Sequence, residues 1–172
     1  MKKFIFPAII AWVVVTGFIY ALVTKSDLLM TWYYRQVARD LGFYGELWFD
    51  HTSEYSYYYP GKSTIVLGWA SRDTLAHEIE HHKFYCMVYG PTNQQALDLF
   101  TRLRTLPLGG ISYYADTYPC YDNSSCLRAY NESLAEVADL AHMGLLKAVP
   151  QEWQDIYLDI NEWYAGQLAT CQ

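Results

Sequence analysis

The stretch from Asp73 to His82 constrains this chain most, because it combines helix-forming residues with a fixed spacing of histidines. It contains the pattern H-E-x-x-H, in which His77 and His81 flank Glu78 and two further residues. On an α-helix, residues at i and i+4 lie one turn apart on the same face, so both imidazoles can reach a single zinc ion. Glu78 then lies where a carboxylate can accept a proton from water that zinc activates. A surface helix that happens to carry several histidines is the alternative interpretation.

The residues on either side of this pattern are those that such a helix needs. Ser63–Gly68 is rich in β-branched residues, which is typical of a short strand. Ser71 or Asp73 can cap the N-terminus of the helix, and Gly90-Pro91 can stop it after about Tyr89. The sequence therefore predicts a strand, a short turn and a helix, in that order.

A second motif supplies a candidate for the third zinc ligand, because a tetrahedral catalytic site takes three protein ligands and leaves the fourth position to water. The segment Tyr130–Glu136 has the sequence Y-N-E-S-L-A-E and falls within a helical pattern at about Leu127–Leu146. With H-E-x-x-H, it resembles the gluzincins, the thermolysin-like zinc peptidases, whose downstream helix carries N-E-x-x-[small]-[acid]. The resemblance covers two helices and the strand before the first, and it does not identify one family within the group.

Position by position, the resemblance implies that Glu132 binds zinc, that Ala135 is the small residue and that Glu136 orients a ligand histidine. The chain departs from the family in having Glu at the last position, where Asp is usual, and in a longer gap from His81 to Glu132. Glu136 is the main alternative as the zinc ligand. Glu132, Glu136 and Asp139 also have the spacing of an ordinary solvated helix face.

The N-terminus carries a separate feature, an uncharged run at Phe4–Thr24 that follows Lys2-Lys3. A run of this length can cross a bilayer as a helix. Ile19-Tyr20-Ala21 fits a cleavage site poorly, so we predict an uncleaved anchor, with a removed signal peptide as the alternative. The two lysines favour a cytoplasmic N-terminus. Residues 1–25 would then form a single-pass anchor in the cell membrane, and residues 26–172 an extracytoplasmic domain.

The charge of the domain argues against one class of partner. All eighteen acidic residues but only nine of the twelve basic residues lie after Lys25, which gives this part a net charge near −9. Contacts with phosphate backbones need clustered Lys and Arg, so we do not expect nucleic acid as a partner.

The four cysteines lie within the domain and form no C-x-x-C pair, which argues against a cysteine zinc site. An even number of cysteines in an exported domain predicts two disulfides. Cys120 and Cys126 are the easiest pair, and Cys86 with Cys171 would then tie the last helix to the H-E-x-x-H helix. Four free buried thiols are the alternative.

The remaining sequence predicts an α+β fold. A first strand is expected at Glu46–Asp50, followed by a Tyr-rich turn region at His51–Pro60. Further helices are expected at residues 26–41, at residues 93–106 and from Pro150 onwards. The resemblance implies a zincin-like domain with a small antiparallel sheet, and an edge strand that holds an extended peptide by main-chain pairing. We predict Ser63–Gly68 as that edge strand.

Together these features predict a membrane-anchored zinc metallopeptidase. His77, His81 and Glu132 would hold Zn²⁺, and Glu78 would serve as the general base in the hydrolysis of a peptide or protein substrate. A donor must also stabilise the oxyanion of the tetrahedral intermediate. The sequence does not choose among four candidates for it, which are Tyr113, Tyr114, Tyr118 and His142.

Two other classes of function stay open. The first is a scaffold that holds zinc with the same ligands and has no activity. The second is an aromatic-rich extracytoplasmic binding domain, which the 17 tyrosines and 6 tryptophans would suit. The sequence gives neither the cleavage specificity nor the oligomeric state.

Overall fold

A computed structural model describes residues 30–50, 52–68, 72–90, 93–111, 116–117, 120, 123–168 and 170–171, together with residues 12, 15 and 16. In these ranges the fold is α+β, with a small sheet packed against helices. The elements, in chain order, are α1 (residues 30–40), β1 (Glu46–Phe49), β2 (Tyr57–Tyr59), β3 (Thr64–Leu67), α2 (Arg72–Tyr89), α3 (Gln94–Leu103), α4 (Asn123–His142) and α5 (Gln151–Ala165).

The sheet is mixed, so the prediction of an antiparallel sheet is wrong. Its strand order is β1-β3-β2, with β1 parallel to β3 and β2 antiparallel to β3. The 3-10 turn Pro60–Lys62 and Ser63, at a left-handed φ of 45°, join β2 to β3 as a tight hairpin. After β1 the chain crosses to the far edge of the sheet, where it forms β2. The hairpin then leads back between the two edge strands, so that β3 lies in the middle and runs parallel to β1.

The central position of β3 also overturns the prediction that Ser63–Gly68 holds substrate. Ile65 is paired with Leu47 of β1 on one side and with Tyr58 of β2 on the other. A strand that is paired on both sides has no edge for a peptide. Within the described residues, the edges of this sheet belong to β1 and to β2, a strand that lies in the segment predicted as a turn.

The helices lie close to their predicted positions. The H-E-x-x-H helix runs from Arg72 to Tyr89, as predicted. Asn93 caps α3, where its side-chain oxygen accepts from the Ala96 N–H at 2.7 Å. The helix α4 begins and ends about four residues before its predicted bounds, and Gly144 follows it with a φ of 76°. Only glycine adopts that left-handed conformation freely, so it is a suitable helix stop.

Two hydrophobic cores meet at α2. One joins α1, the sheet and the first half of α2, and its fully buried members include Ile65, Leu67 and Leu75. The other joins the second half of α2 to α3, α4 and α5, around Leu134 and Trp153. Each such side chain contributes about 1.5–3 kcal/mol when it is buried. The H-E-x-x-H helix is therefore fixed from both sides.

The described cysteines form the two predicted disulfides. Cys86 of α2 pairs with Cys171, with their Cα atoms 5.7 Å apart, and Cys120 pairs with Cys126, at 4.5 Å. The first bond links the second half of α2 to a residue beyond α5.

The predicted membrane anchor at residues 1–25 lies outside the described residues, apart from positions 12, 15 and 16. Within the part of the chain that the structure describes, no helix combines the length and apolar character that crossing a bilayer requires.

Candidate metal centre

The packing of α2 against α4 brings both histidines of H-E-x-x-H to Glu132. The Nε2 atoms of His77 and His81 each lie 3.7 Å from the same carboxylate oxygen, Oε2 of Glu132. The three side chains are largely buried, with exposed fractions of 13–20%. The structure thus places the three predicted zinc ligands around one point.

The other ring nitrogen of each histidine has its own partner on α4. Nδ1 of His77 lies 3.1 Å from Oδ2 of Asp139, and Nδ1 of His81 lies 3.0 Å from Oδ1 of Asn131. A carboxylate oxygen and an amide oxygen only accept hydrogen bonds, so each Nδ1 carries the proton and donates it. In a neutral ring this leaves the lone pair on Nε2, on the side of Glu132.

These atoms fit a zinc ion. One ligand atom from each of His77, His81 and Glu132 lies within 4.8 Å of the other two. Two imidazole nitrogens and one carboxylate oxygen are a donor set typical of catalytic zinc. Bond lengths to zinc imply N···O separations of roughly 3.3 Å in a tetrahedral site. The two observed N···O separations of 3.7 Å are slightly wider than this.

The electrostatics of the site also favour a cation. Burial lowers the pKa of His77, but the hydrogen bond to Asp139 and the nearby carboxylate of Glu132 outweigh that effect and raise it to about 10. Burial raises the pKa of Glu132, whereas the neighbouring His77 and His81 shift it below its usual value. The carboxylates of α4 therefore stabilise positive charge at this point.

Glu78 lies beside this group without belonging to it. Its side chain is only 4% exposed, and burial raises its pKa to about 7, against an opposing effect of His77. The Tyr58 backbone N–H donates a hydrogen bond to the Glu78 carboxylate. The buried oxygen Oε2 has no hydrogen-bond partner within the described residues. This oxygen can therefore accept a hydrogen bond from a water molecule or a substrate group.

Glu136, predicted to orient a ligand histidine, is close to His77 but is not its partner. It forms a second group with His77 and Asp139, whose ligand atoms lie within 4.8 Å of one another. His77 Nδ1 instead donates its hydrogen bond to Oδ2 of Asp139, three residues further along α4. Burial and the neighbouring Asp139 raise the pKa of Glu136.

Sequence reasoning missed the two residues that orient the histidines. Asp139 lies seven residues after Glu132, which places it on the same helix face. This spacing is the sequence feature from which a position near the ligands could have been predicted. Asn131 stands directly before Glu132 in the second motif. Neither assignment follows from the sequence alone, because both depend on how α4 packs against α2.

The four candidate oxyanion donors have different positions. Tyr113, Tyr114 and Tyr118 lie outside the described residues. His142 is the last residue of α4. It lies ten residues beyond Glu132, or about 15 Å along the helix axis.

His82 faces away from the metal centre and has a packing role. Its Nδ1 lies 2.8 Å from the Tyr58 hydroxyl and its Nε2 lies 2.9 Å from the Tyr164 hydroxyl. Burial and the nearby Lys83 lower the pKa of His82 to about 4. The neutral ring thus links α2 to β2 and to α5.

Comparisons of the chain with models of protein families, with curated proteins and with solved structures found no match. The argument for function therefore depends on the geometry and chemistry of the metal centre.

Proposed function

We propose that this chain is a zinc metallopeptidase with a zincin-like domain, anchored by its N-terminal run in the cell membrane with the domain outside the cytoplasm. The observation that carries the proposal is the convergence of two Nε2 atoms and one carboxylate oxygen, from His77, His81 and Glu132, beside the buried carboxylate of Glu78. Its substrates would be peptides or proteins.

His77, His81 and Glu132 would hold the zinc ion. Bound zinc acts as a Lewis acid, which polarises a carbonyl oxygen and makes water a better nucleophile at neutral pH. Asp139 and Asn131 would keep the two imidazoles in the tautomer and orientation that present Nε2.

Glu78 would be the general base. Its carboxylate accepts the proton of water as the oxygen attacks the carbonyl carbon of the peptide bond, and then delivers that proton to the leaving amine. The position of Glu78 supports this role, because it adjoins His77 in the chain and has a buried oxygen without a partner among the described residues.

The strand β2 is a better candidate than β3 for holding the substrate. It lies at an edge of the sheet, and the backbone of Tyr58 in this strand contacts Glu78. An extended peptide that pairs with β2 through main-chain hydrogen bonds would run past the Glu78 carboxylate. The rings of Tyr57 and Tyr59, on the outer face of β2, would then lie next to the side chains of the peptide.

The proposal is tested with the full chain and its Glu78→Gln variant, which keeps the size of the side chain and removes the basic carboxylate. We expect equal zinc content and turnover of a susceptible peptide lowered by roughly a hundredfold or more. Glu162→Gln, at an exposed position of α5, is the matched control and should change neither quantity.

Equal turnover by the wild type and Glu78→Gln would remove Glu78 from the mechanism. Loss of zinc in the Gln variant would assign Glu78 a structural role. If zinc is bound but the wild type cleaves nothing in a broad peptide library, the same ligands serve an inactive scaffold, and the proposed activity is refuted.

A further inference from the structure

A cleft of about 280 Å³ lies between α1 and β1, and it shares no lining residue with the metal centre. Its polar lining includes Arg35 and Arg39, one helical turn apart on α1, and Glu46 of β1. Tyr44 and Trp48 also line the cleft. Nothing in the proposed peptidase mechanism uses these side chains.

The rim of the cleft is unusually aromatic for a surface. Trp48 is 59% exposed and Tyr44 is 51% exposed. Trp32 of α1, 62% exposed, precedes Arg35 by three residues and Arg39 by seven, so it lies on the same helix face as both arginines. Exposed Trp and Tyr interleaved with Arg are typical of surfaces that lie in the headgroup region of a bilayer.

The charge of the cleft differs from that of the domain. Two arginines and one glutamate give it a net charge of +1, whereas the residues after Lys25 have a net charge near −9. The Glu46 carboxylate accepts a hydrogen bond from the Trp48 indole N–H at 3.0 Å. Across the described ranges, neither Arg35 nor Arg39 forms an ion pair with a carboxylate. Both guanidinium groups are therefore available to an anion.

The closeness of α1 to the uncharged N-terminal run indicates which anion the cleft would meet. Five residues separate the uncharged run Phe4–Thr24 from Met30, the first described residue of α1. A chain of that length spans at most about 20 Å. If the run crosses a bilayer, α1 must begin close to the bilayer surface, where the phosphate groups of lipids lie.

We propose that the cleft between α1 and β1 binds the phosphate group of an anionic phospholipid, with Trp32, Tyr44 and Trp48 in the headgroup region around it. Arg35 and Arg39 supply paired N–H donors, a geometry that suits phosphate oxygens. This contact would hold the domain in one orientation on the membrane. The inference rests on the membrane anchor of the proposed function, and it is independent of the peptidase activity.

The test is a lipid titration of the full chain in detergent micelles, in which native mass spectrometry counts bound lipids. Phosphatidylglycerol and phosphatidylcholine are compared, because they differ in net charge, and inorganic phosphate is titrated separately. In the Arg35→Gln/Arg39→Gln variant we expect the affinity for the first phosphatidylglycerol to fall about thirtyfold, to the level of phosphatidylcholine. Lys62→Gln/Lys147→Gln, which removes two exposed charges outside the cleft, should leave the preference intact.

Trp48→Ala provides a second variant that leaves both arginines in place, and it should weaken phosphatidylglycerol binding several-fold. If circular dichroism shows that the double arginine variant is unfolded, the lipid affinity of Trp48→Ala tests the inference instead. Zinc content should be unchanged in all variants, which separates a failure of this inference from a failure of the metal centre.

Three results would overturn the inference. These are equal affinity of the wild type for both lipids, equal effects of the two double variants, and binding of inorganic phosphate as tight as that of the lipid. A dimer in the mass spectra that Trp48→Ala abolishes would instead assign the cleft to a second copy of the chain. Extraction of the chain from membranes at alkaline pH would refute the anchor itself.

Discussion

Two oxygen atoms outside the proposed group of zinc ligands determine the tautomer and orientation of His77 and His81. Oδ2 of Asp139 accepts a hydrogen bond from Nδ1–H of His77, and Oδ1 of Asn131 accepts one from Nδ1–H of His81. The lone pairs on both Nε2 atoms then face Glu132. At the residue scale the metal centre therefore consists of five side chains rather than three. Three of these five could be predicted from the two motifs.

The first prediction concerns the ligand assignment on α4. Glu132→Ala removes the oxygen that both Nε2 atoms face, so it should sharply reduce zinc occupancy of the full chain. Glu136→Ala should reduce it less, because Glu136 lies beside His77 and Asp139 instead. Zinc content by elemental analysis is the measurement. If Glu136→Ala strips the metal and Glu132→Ala does not, our assignment is wrong by one helical turn.

The second prediction concerns the hydrogen bond on His77. Asp139→Ala removes the acceptor that fixes the ring, so the affinity for zinc should fall about 10–100-fold while the fold is retained. Competition with a chromophoric chelator measures the change. Asp98→Ala, on the exposed face of α3, is the control. Equal affinities for the two variants would mean that Asp139 does not orient His77.

The third prediction concerns a buried ion pair on the opposite side of α2. Glu80 is fully buried, Lys83 is 5% exposed, and their charged groups lie 3.1 Å apart. Lys83→Met leaves the Glu80 carboxylate buried without its cation, so the free energy of unfolding should fall by about 3–5 kcal/mol.

The double variant Glu80→Leu/Lys83→Met is the control for that prediction, because it removes both charges and should recover most of the lost stability. Chemical denaturation of all three proteins gives the comparison. A double variant as unstable as Lys83→Met would show that packing, and not an unpaired charge, accounts for the loss.

At the scale of elements, the helices could be predicted from the sequence and the sheet only in part. The stop at Gly90-Pro91 is a local signal, and α2 ends at Tyr89 as it predicts. The predicted α4 runs on to Leu146, through Gly144, whereas the helix ends at His142. The strand β2 has only three residues, all tyrosines, and lies in a segment with turn-like composition. It becomes a strand because β3 pairs with it in the hairpin, and β-propensity alone does not specify such pairing.

The fourth prediction uses the difference in loop length between the two disulfides. Cys86 and Cys171 are 85 residues apart in the chain, whereas Cys120 and Cys126 are 6 apart. Because a longer closed loop restricts the unfolded chain more, Cys86→Ser/Cys171→Ser should cost about 4.5 kcal/mol and Cys120→Ser/Cys126→Ser about 2 kcal/mol. Chemical denaturation under oxidising conditions measures both. The reverse order of the two losses would refute this account.

At the scale of the whole molecule, the placement of Asp139 against His77 shows why the site was only partly predictable. These residues are 62 positions apart in the chain, and their contact depends on the packing of α4 against α2. The two motifs predict candidate zinc ligands by residue type. The acceptor for each Nδ1 depends on the rotation of one helix against the other, which no local pattern specifies.

The fifth prediction concerns the N-terminal run. We expect residues 1–25 to stay attached to the mature protein, because Ile19-Tyr20-Ala21 fits a cleavage site poorly. Intact mass measurement of the protein from membranes decides this. A product that begins near Leu22 would identify the run as a removed signal peptide.

The disulfide between Cys86 and Cys171 has a consequence for the order in which the chain becomes functional during its synthesis. The ribosome adds His77 and His81 about fifty residues before Glu132, and Cys171 a further 39 residues after Glu132. Until that last cysteine is in place, the second half of α2 has neither its covalent tie nor all of the α5 core. Under the proposed function, a chain that still lacks Cys171 therefore carries its histidines on a helix held by α4 and the first core alone, so we expect full peptidase activity only after this disulfide has formed.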